Sequence, residues 1–184
     1  FQHETLRQFK ILECIGVKPT TLIPQVDIIH HPVSRIENDK TSQQILINPG
    51  ARDPRRRWPV DHFTTVIDAL MERGHDVFIN LMPEEKQLGE EILNRVKKPE
   101  RVEIGSPHLS HLAYILWQSS LVISNDTGTM HLAMALRRPT VGLYWYGNFL
   151  TYGPLFLGHG QALISWTTSC PECQQNLMTA MCSH

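Results

Sequence analysis

Two short segments of this sequence carry residue types suited to holding an anion. The first, Asn48-Pro49-Gly50-Ala51-Arg52-Asp53-Pro54-Arg55-Arg56-Arg57-Trp58-Pro59, places four arginines just ahead of a helix pattern. A guanidinium presents fork-shaped donors that match phosphate oxygens, each charge-assisted bond worth roughly 1.5–3 kcal/mol, and a glycine permits close backbone approach. The second segment, Ser124-Asn125-Asp126-Thr127-Gly128-Thr129-Met130-His131-Leu132-Ala133, runs from an apolar strand pattern into a helix pattern. A helix starting there exposes unpaired amides and the positive end of its dipole, which suits a diphosphate without a metal ion; Thr127 and Thr129 add hydroxyl donors. Each segment also has a plainer reading. Charge runs are usually solvated loops, and Asp126 or Thr127 is an ordinary N-cap. Taken together, at the ends of two parallel strands, they make a shared anion site the better account. Neither segment has the three glycines of a dinucleotide fingerprint, which disfavours NAD.

The elements that must position these segments follow from hydrophobic spacing. Leu6, Phe9, Ile11, Leu12 and Ile15 mark an amphipathic helix from His3 to Ile15, stopped by Gly16, with Cys14 expected as a small core filler beside its apolar face. The stretch to Ser42 holds Pro19, Pro24 and Pro32, with a possible short strand at Val26–Ile29, and reads as a connector. Then strands are expected at Gln44–Asn48, Asp76–Leu81, Arg101–Ile104, Leu121–Asn125 and Pro139–Trp145. Helices are expected at Pro59–Arg73, Glu84–Lys97, Leu109–Ser119 and from Gly128 to about Leu136. Short apolar strands alternating with helices imply an α/β fold with right-handed crossovers, a parallel sheet and helices on both faces. Trp58 is expected to staple the start of the second helix, and Met130, Leu132 and Met134 to be core.

The 184 residues, 41% hydrophobic and 19% charged, suit one globular domain with a sizeable core. A formal net charge of -1 argues against a dedicated nucleic-acid binder. No apolar run approaches a membrane span, and the chain opens Phe1-Gln2-His3-Glu4 without a leader pattern, so it reads as a soluble piece of a longer protein. Four cysteines are too few for a disulfide scaffold, and a reducing cytoplasm is the default. Cys170-Pro171-Glu172-Cys173 with Cys182 and His184 has a spacing able to close a zinc tetrahedron, but a second regular pair is missing, and no metal is expected. A phospho-acceptor module using Asp126 would need an acidic pair after its first strand and a later lysine; Asn48 and Arg137 offer neither.

Pro49-Gly50-Ala51 leading to Arg56-Arg57-Trp58-Pro59, and Asp126-Thr127-Gly128-Thr129-Met130-His131-Leu132-Ala133, together resemble glycosyltransferase family 9, the bacterial heptosyltransferases. The second match is the more specific, and Pro139-Thr140-Val141 and Gly153-Pro154 extend the resemblance over most of the chain. It implies half of a GT-B enzyme: residues 1–42 a linker helix and connector, residues 43–184 the Rossmann-like C-terminal domain that binds the donor. The missing N-terminal domain would carry the acceptor site and the general base, so no catalytic residue is expected here, and the isolated piece should turn over poorly. The donor-binding residues implied are Asn48, Gly50, Ala51, Arg56, Glu84 or Glu85, Asp126, Thr127, Gly128 and His131. Arg56 stands where the family has lysine, which keeps the charge and changes the donor geometry. The neighbouring arginines are expected to share its work.

The resemblance further implies an inverting transfer of a sugar, with heptose from ADP-heptose the leading choice, to lipopolysaccharide or another glycan. No cofactor is implied. The enzyme would work in the cytoplasm, at the inner face of the inner membrane. Similar C-terminal cysteines occur in the family without a required metal. A nucleotide-sugar epimerase of GT-B-like architecture, or a non-catalytic nucleotide-sugar-binding module, would use the same anion site.

Overall fold

The computed structural model describes residues 3–21, 23–26, 44–155 and 158–177. Beyond Val26, the strand expected at Val26–Ile29 lies outside them, as do the expected boundary at 42/43, Cys182 and His184. The described elements run α1 (Glu4–Cys14), β1 (Ile45–Asn48), α2 (Val60–Glu72), β2 (Val77–Asn80), α3 (Lys86–Leu93), β3 (Val102–Gly105), α4 (Leu109–Gln118), β4 (Leu121–Asn125), α5 (Gly128–Ala135), β5 (Thr140–Trp145), α6 (Tyr146–Tyr152) and β6 (Gly160–Ser165). The six strands form one parallel sheet in the order β3-β2-β1-β4-β5-β6. The α/β class and the parallel sheet read from the sequence are therefore those of the structure.

Strand alternation divides the core between the two faces of the sheet. Ile45 and Ile47 of β1 with Val77 and Ile79 of β2 pack on Phe63, Ile67 and Met71 of α2 and on Ile92 of α3. Leu46, Phe78 and Val122 point the other way, onto Leu112 and Leu116 of α4 and Ala133 of α5. Full burial of each such side chain stabilises the fold by about 1.5–3 kcal/mol. Trp58 is the expected staple: its ring meets Phe63 edge-on at 5.1 Å, pinning the chain as it enters α2.

Several expectations need correction. The helix expected at Glu84–Lys97 opens with a 3-10 turn, Pro83–Glu85, and ends at Leu93. Both α6 and β6 were unanticipated: along the edge strand β6 exposure alternates with Leu163 facing outward, 56% exposed, which blurs the apolar period. α1 forms where its spacing predicts, but buries no residue completely, and Cys14 is exposed rather than a core filler. Met130 is fully buried as expected, whereas Met134 lines a cavity.

Past Ala135, α5 closes by a Schellman pattern: the Arg138 amide donates to the Ala133 carbonyl and the Arg137 amide to that of Met134. Arg137 holds φ of 56°, the left-handed position usually filled by glycine, at a cost of roughly 1–2 kcal/mol for a residue with a Cβ.

Candidate functional site

In this strand order the chain direction of winding reverses between β1 and β4, so the loops leaving their carboxyl ends part to form a crevice. Those are the two loops singled out in the sequence. Beneath them, β1, β2 and β4 each end in a buried asparagine: Asn48, Asn80 and Asn125. Asn80 Nδ2 donates to Asn48 Oδ1 at 2.7 Å and to Thr129 Oγ1 at 3.4 Å. Asn48 Nδ2 donates to the Gly50 carbonyl and to Thr127 Oγ1, both at 3.3 Å. Asn125 Nδ2 donates to the Pro49 carbonyl at 2.6 Å, and its Oδ1 accepts from the Trp58 amide at 3.1 Å. The amides thus tie the arginine loop to the Asp126 loop. Stranding one such buried group costs about 1–3 kcal/mol.

Asp126, 2% exposed, is the hub of the second loop. Its Oδ2 accepts from Asn148 Nδ2 at 2.7 Å and lies 3.8 Å from an Arg56 nitrogen; its Oδ1 lies 3.3 Å from His131 Nε2. The same Arg56 nitrogen donates to the Asp126 carbonyl at 3.1 Å. Burial pushes the Asp126 carboxyl up, but hydrogen bonds with His131 and Asn148, then the charges of His131 and Arg56, outweigh it and hold it below the usual carboxylate range. Nearby, burial first and the Asp126 charge second push the Tyr144 hydroxyl well above the ordinary phenol range, and it donates to the Met130 sulfur.

Of the four arginines, only Arg56 bonds to the second loop among the described contacts. Arg55 forks onto Asp53, donates to the Leu177 carbonyl and lies 5.3 Å over the Trp145 ring; Arg57 donates to the Ala51 carbonyl at 2.7 Å, and Arg52 is exposed. In this fold, then, Arg55 and Arg57 are engaged within their own loop or by Leu177 and Trp145, and only Arg56 reaches the Asp126 loop among the described contacts. Successive residues of the 3-10 turn Pro54–Arg56 point about 120° apart, so Arg55 and Arg56 leave the backbone in different directions.

Thr127 takes the N-cap position of α5 but makes no side-chain cap; its hydroxyl instead accepts from Asn48 Nδ2 and lies 3.3 Å from Ser124 Oγ. The plain capping reading therefore does not hold. At Gly128 nothing lies within 4 Å of where a Cβ would stand, and its φ is not positive, so neither packing nor backbone demands glycine. The bare position leaves the first-turn amides of α5 open to a ligand. Gly50 is different: a Cβ there would overlap the Glu85 carboxylate, which is held by the Met82 amide.

Asn48, Gly50, Arg56, Asp126, Thr127, Gly128 and His131 therefore gather at one crevice, with Glu85 against Gly50. Ala51 is buried in the loop wall, and Glu84 is exposed in the 3-10 turn. Sequence reasoning missed Asn80, Asn125 and Asn148. A signal existed for two of them: the strands read Ile-Leu-Ile-Asn, Val-Phe-Ile-Asn and Leu-Val-Ile-Ser-Asn, each closing an apolar run with asparagine at the ligand-binding edge. Among the described residues no three His, Cys, Asp or Glu side chains cluster as a metal site, and no helix is long and apolar enough to cross a membrane.

The family model for glycosyltransferase family 9 (heptosyltransferase) matches residues 3–182. Lipopolysaccharide heptosyltransferase 2 of Escherichia coli K12 is 31% identical over 101 residues, covering 52% of this chain and 29% of that protein. Its namesake in Salmonella typhimurium LT2 is 30% identical over 132 residues, covering 67% and 38%. The chain thus spans about a third of the length of these curated relatives. Among solved structures, E. coli ADP-heptose lps heptosyltransferase II aligns with a TM-score of 0.61 at 26% identity, over 65% of this chain and 38% of that one. E. coli heptosyltransferase WaaC with ADP shares the fold, with a TM-score of 0.69 at 22% identity over 89% and 51%.

Proposed function

The chain belongs to glycosyltransferase family 9, and on that premise we propose that residues 43–184 are the donor-binding domain of an inverting heptosyltransferase, with residues 1–42 the linker to its acceptor domain. The donor is a nucleotide-diphosphate sugar, ADP-heptose, and the acceptor a lipopolysaccharide-type glycan. The observation that supports this most is the single crevice at the reversal of strand order. There Arg56 and the uncapped first turn of α5 flank the same few ångströms.

The acceptor hydroxyl attacks the anomeric carbon, the bond from that carbon to the β-phosphate oxygen breaks, and ADP leaves with the bonding pair. The hydroxyl proton passes to a base supplied by the acceptor domain. What this chain contributes is stabilisation of the leaving diphosphate. The Arg56 guanidinium and the amides following Thr127 are fixed donors that need no rearrangement as charge develops, so they favour the transition state over the bound donor. Asp126 does not touch phosphate. Its carboxylate is taken up by His131, Asn148 and Arg56, so it aims two of the cationic or donor groups at the crevice while its own charge is locally balanced. Glu85, beside Gly50, is the carboxylate placed to accept from ribose hydroxyls; Glu84 is not.

This part of the enzyme works on the cytoplasmic side of the inner membrane and by itself binds donor with little turnover. Calorimetric titration of the chain with ADP tests the reading: one saturable site is expected, and a folded chain with no heat of binding overturns it. With the full-length protein, release of ADP from ADP-heptose should require an acceptor glycan; acceptor-independent conversion of the donor would instead mark an epimerase.

A further inference from the structure

A cavity of about 570 Å³ lies along α5, away from the crevice between β1 and β4, and meets the donor-site residues only at His131. Its walls come from α1, the segment around Ile23 and Gln25, α5, the end of α6 and the residues just before β6. Four basic residues line it, His131, Arg137, Arg138 and His159, and among the described residues that line it none is acidic. Phe9, Ile23, Met134, Tyr152 and Leu155 supply an apolar body. From His131 to Arg138 is seven residues of chain, roughly 10 Å, so the cavity has one histidine at its donor-site end and the two guanidinium groups of Arg137 and Arg138 at the other.

Two features of that cluster are unexplained by folding alone. Arg137 occupies a left-handed position that glycine would fill without strain, so the fold tolerates a side chain where it needs none. Arg138 donates to the Trp117 carbonyl at 3.0 Å, but its Nε is buried without a hydrogen-bond partner among the described residues. A guanidinium left partly unsatisfied in its resting rotamer gains when it turns toward an oxyanion. The C-terminal end of the α5 dipole opposes an anion, yet its partial charge is smaller than that of either arginine.

We propose that this cavity is a second binding site, for a small amphiphilic anion: one phosphate or carboxylate head held by Arg137, Arg138 and His159, and an apolar body against Phe9, Ile23, Met134 and Leu155. The site does not depend on the donor reading. Its shape suits a membrane-derived phosphate ester better than a water-soluble one, because the apolar walls have no use for a bare head group.

The probe is octyl phosphate, titrated below its critical micelle concentration into the chain by calorimetry, with glycerol phosphate and neutral octyl glucoside as comparison arms. Saturable one-to-one binding of octyl phosphate is expected, at least about ten-fold tighter than either comparison compound. Arg137→Gly relieves the backbone, so it should melt no lower than the parent while losing about ten-fold in octyl phosphate affinity and keeping ADP affinity. Arg138→Gln should lose a similar factor. Equal affinity for glycerol phosphate or octyl glucoside overturns the proposal, as does full retention of binding in a folded Arg137→Gly variant. Competition by saturating ADP also overturns it, since the anion would then have entered the donor crevice. Failure of ADP itself to bind bears on the donor reading alone.

Discussion

Replacing Arg56 by alanine separates the two things this side chain does. In the unliganded fold it donates to the Asp126 carbonyl at 3.1 Å and lies 3.8 Å from the carboxylate, with its side chain 24% exposed. The Asp126 carboxylate keeps its contacts with Asn148 and His131 when Arg56 is lost, and the loss to the fold is the one hydrogen bond to the Asp126 carbonyl. The structural cost is then about 1 kcal/mol, a fall in Tm of roughly 2–4 °C for a chain of this size. Toward a bound diphosphate the same guanidinium supplies a charge-assisted bond worth about 1.5–3 kcal/mol, so the Kd for ADP should rise about 10- to 150-fold. Calorimetry with ADP, paired with thermal melts, reads both quantities. Arg55→Ala is the control. That residue is engaged by Asp53, Leu177 and Trp145, so its loss should lower Tm and change ADP affinity by less than about three-fold. A folded Arg56→Ala chain binding ADP as tightly as the parent refutes the reasoning. So does an equal loss in Arg55→Ala, which would mean that the loop acts only through its net charge.

Asn80→Ala should lower stability by about 1–3 kcal/mol in urea titration, because Asn48 Oδ1 is left buried without its donor; a change below about 0.5 kcal/mol counts against the asparagine tie. In Gly50→Ala the new methyl displaces the flexible Glu85 carboxylate. Gly50→Ala, Glu85→Ala and the double variant should therefore share one loss of ADP affinity, about ten-fold; losses that multiply would show that Glu85 and Gly50 act separately. The Asp126 carboxyl is held below its ordinary range in the fold, so its stabilisation is complete above about pH 5, where the unfolded carboxyl is also ionised, and is lost as pH falls through the folded value. Asp126→Asn should flatten that acid limb in melts from about pH 2.5 to 7; an unchanged limb means that other carboxyls set it.

Local pattern was enough for much of this molecule. Five of the six strands and five of the six helices among the described residues are legible because an apolar period of two or of about 3.6 is a local property, and α6 and β6 escape because their stretch shows no clear period. The two loops of the candidate site were legible for the same reason: Gly50 and Arg56, or Asp126 and Gly128, are neighbours along the chain. Periodicity cannot report which strands lie side by side. Only the fold puts β1 beside β4, across 72 intervening residues from Asn48 to Leu121, and so brings Arg56 to Asp126. Only the fold brings Arg56, and not Arg55 or Arg57, to Asp126 and sets Glu85, and not Glu84, against Gly50, and it adds Asn80 from the end of β2 and Asn148 from α6. Those selections depend on the direction a side chain leaves its backbone and on contacts between residues distant in sequence, and both are settled when the sheet assembles.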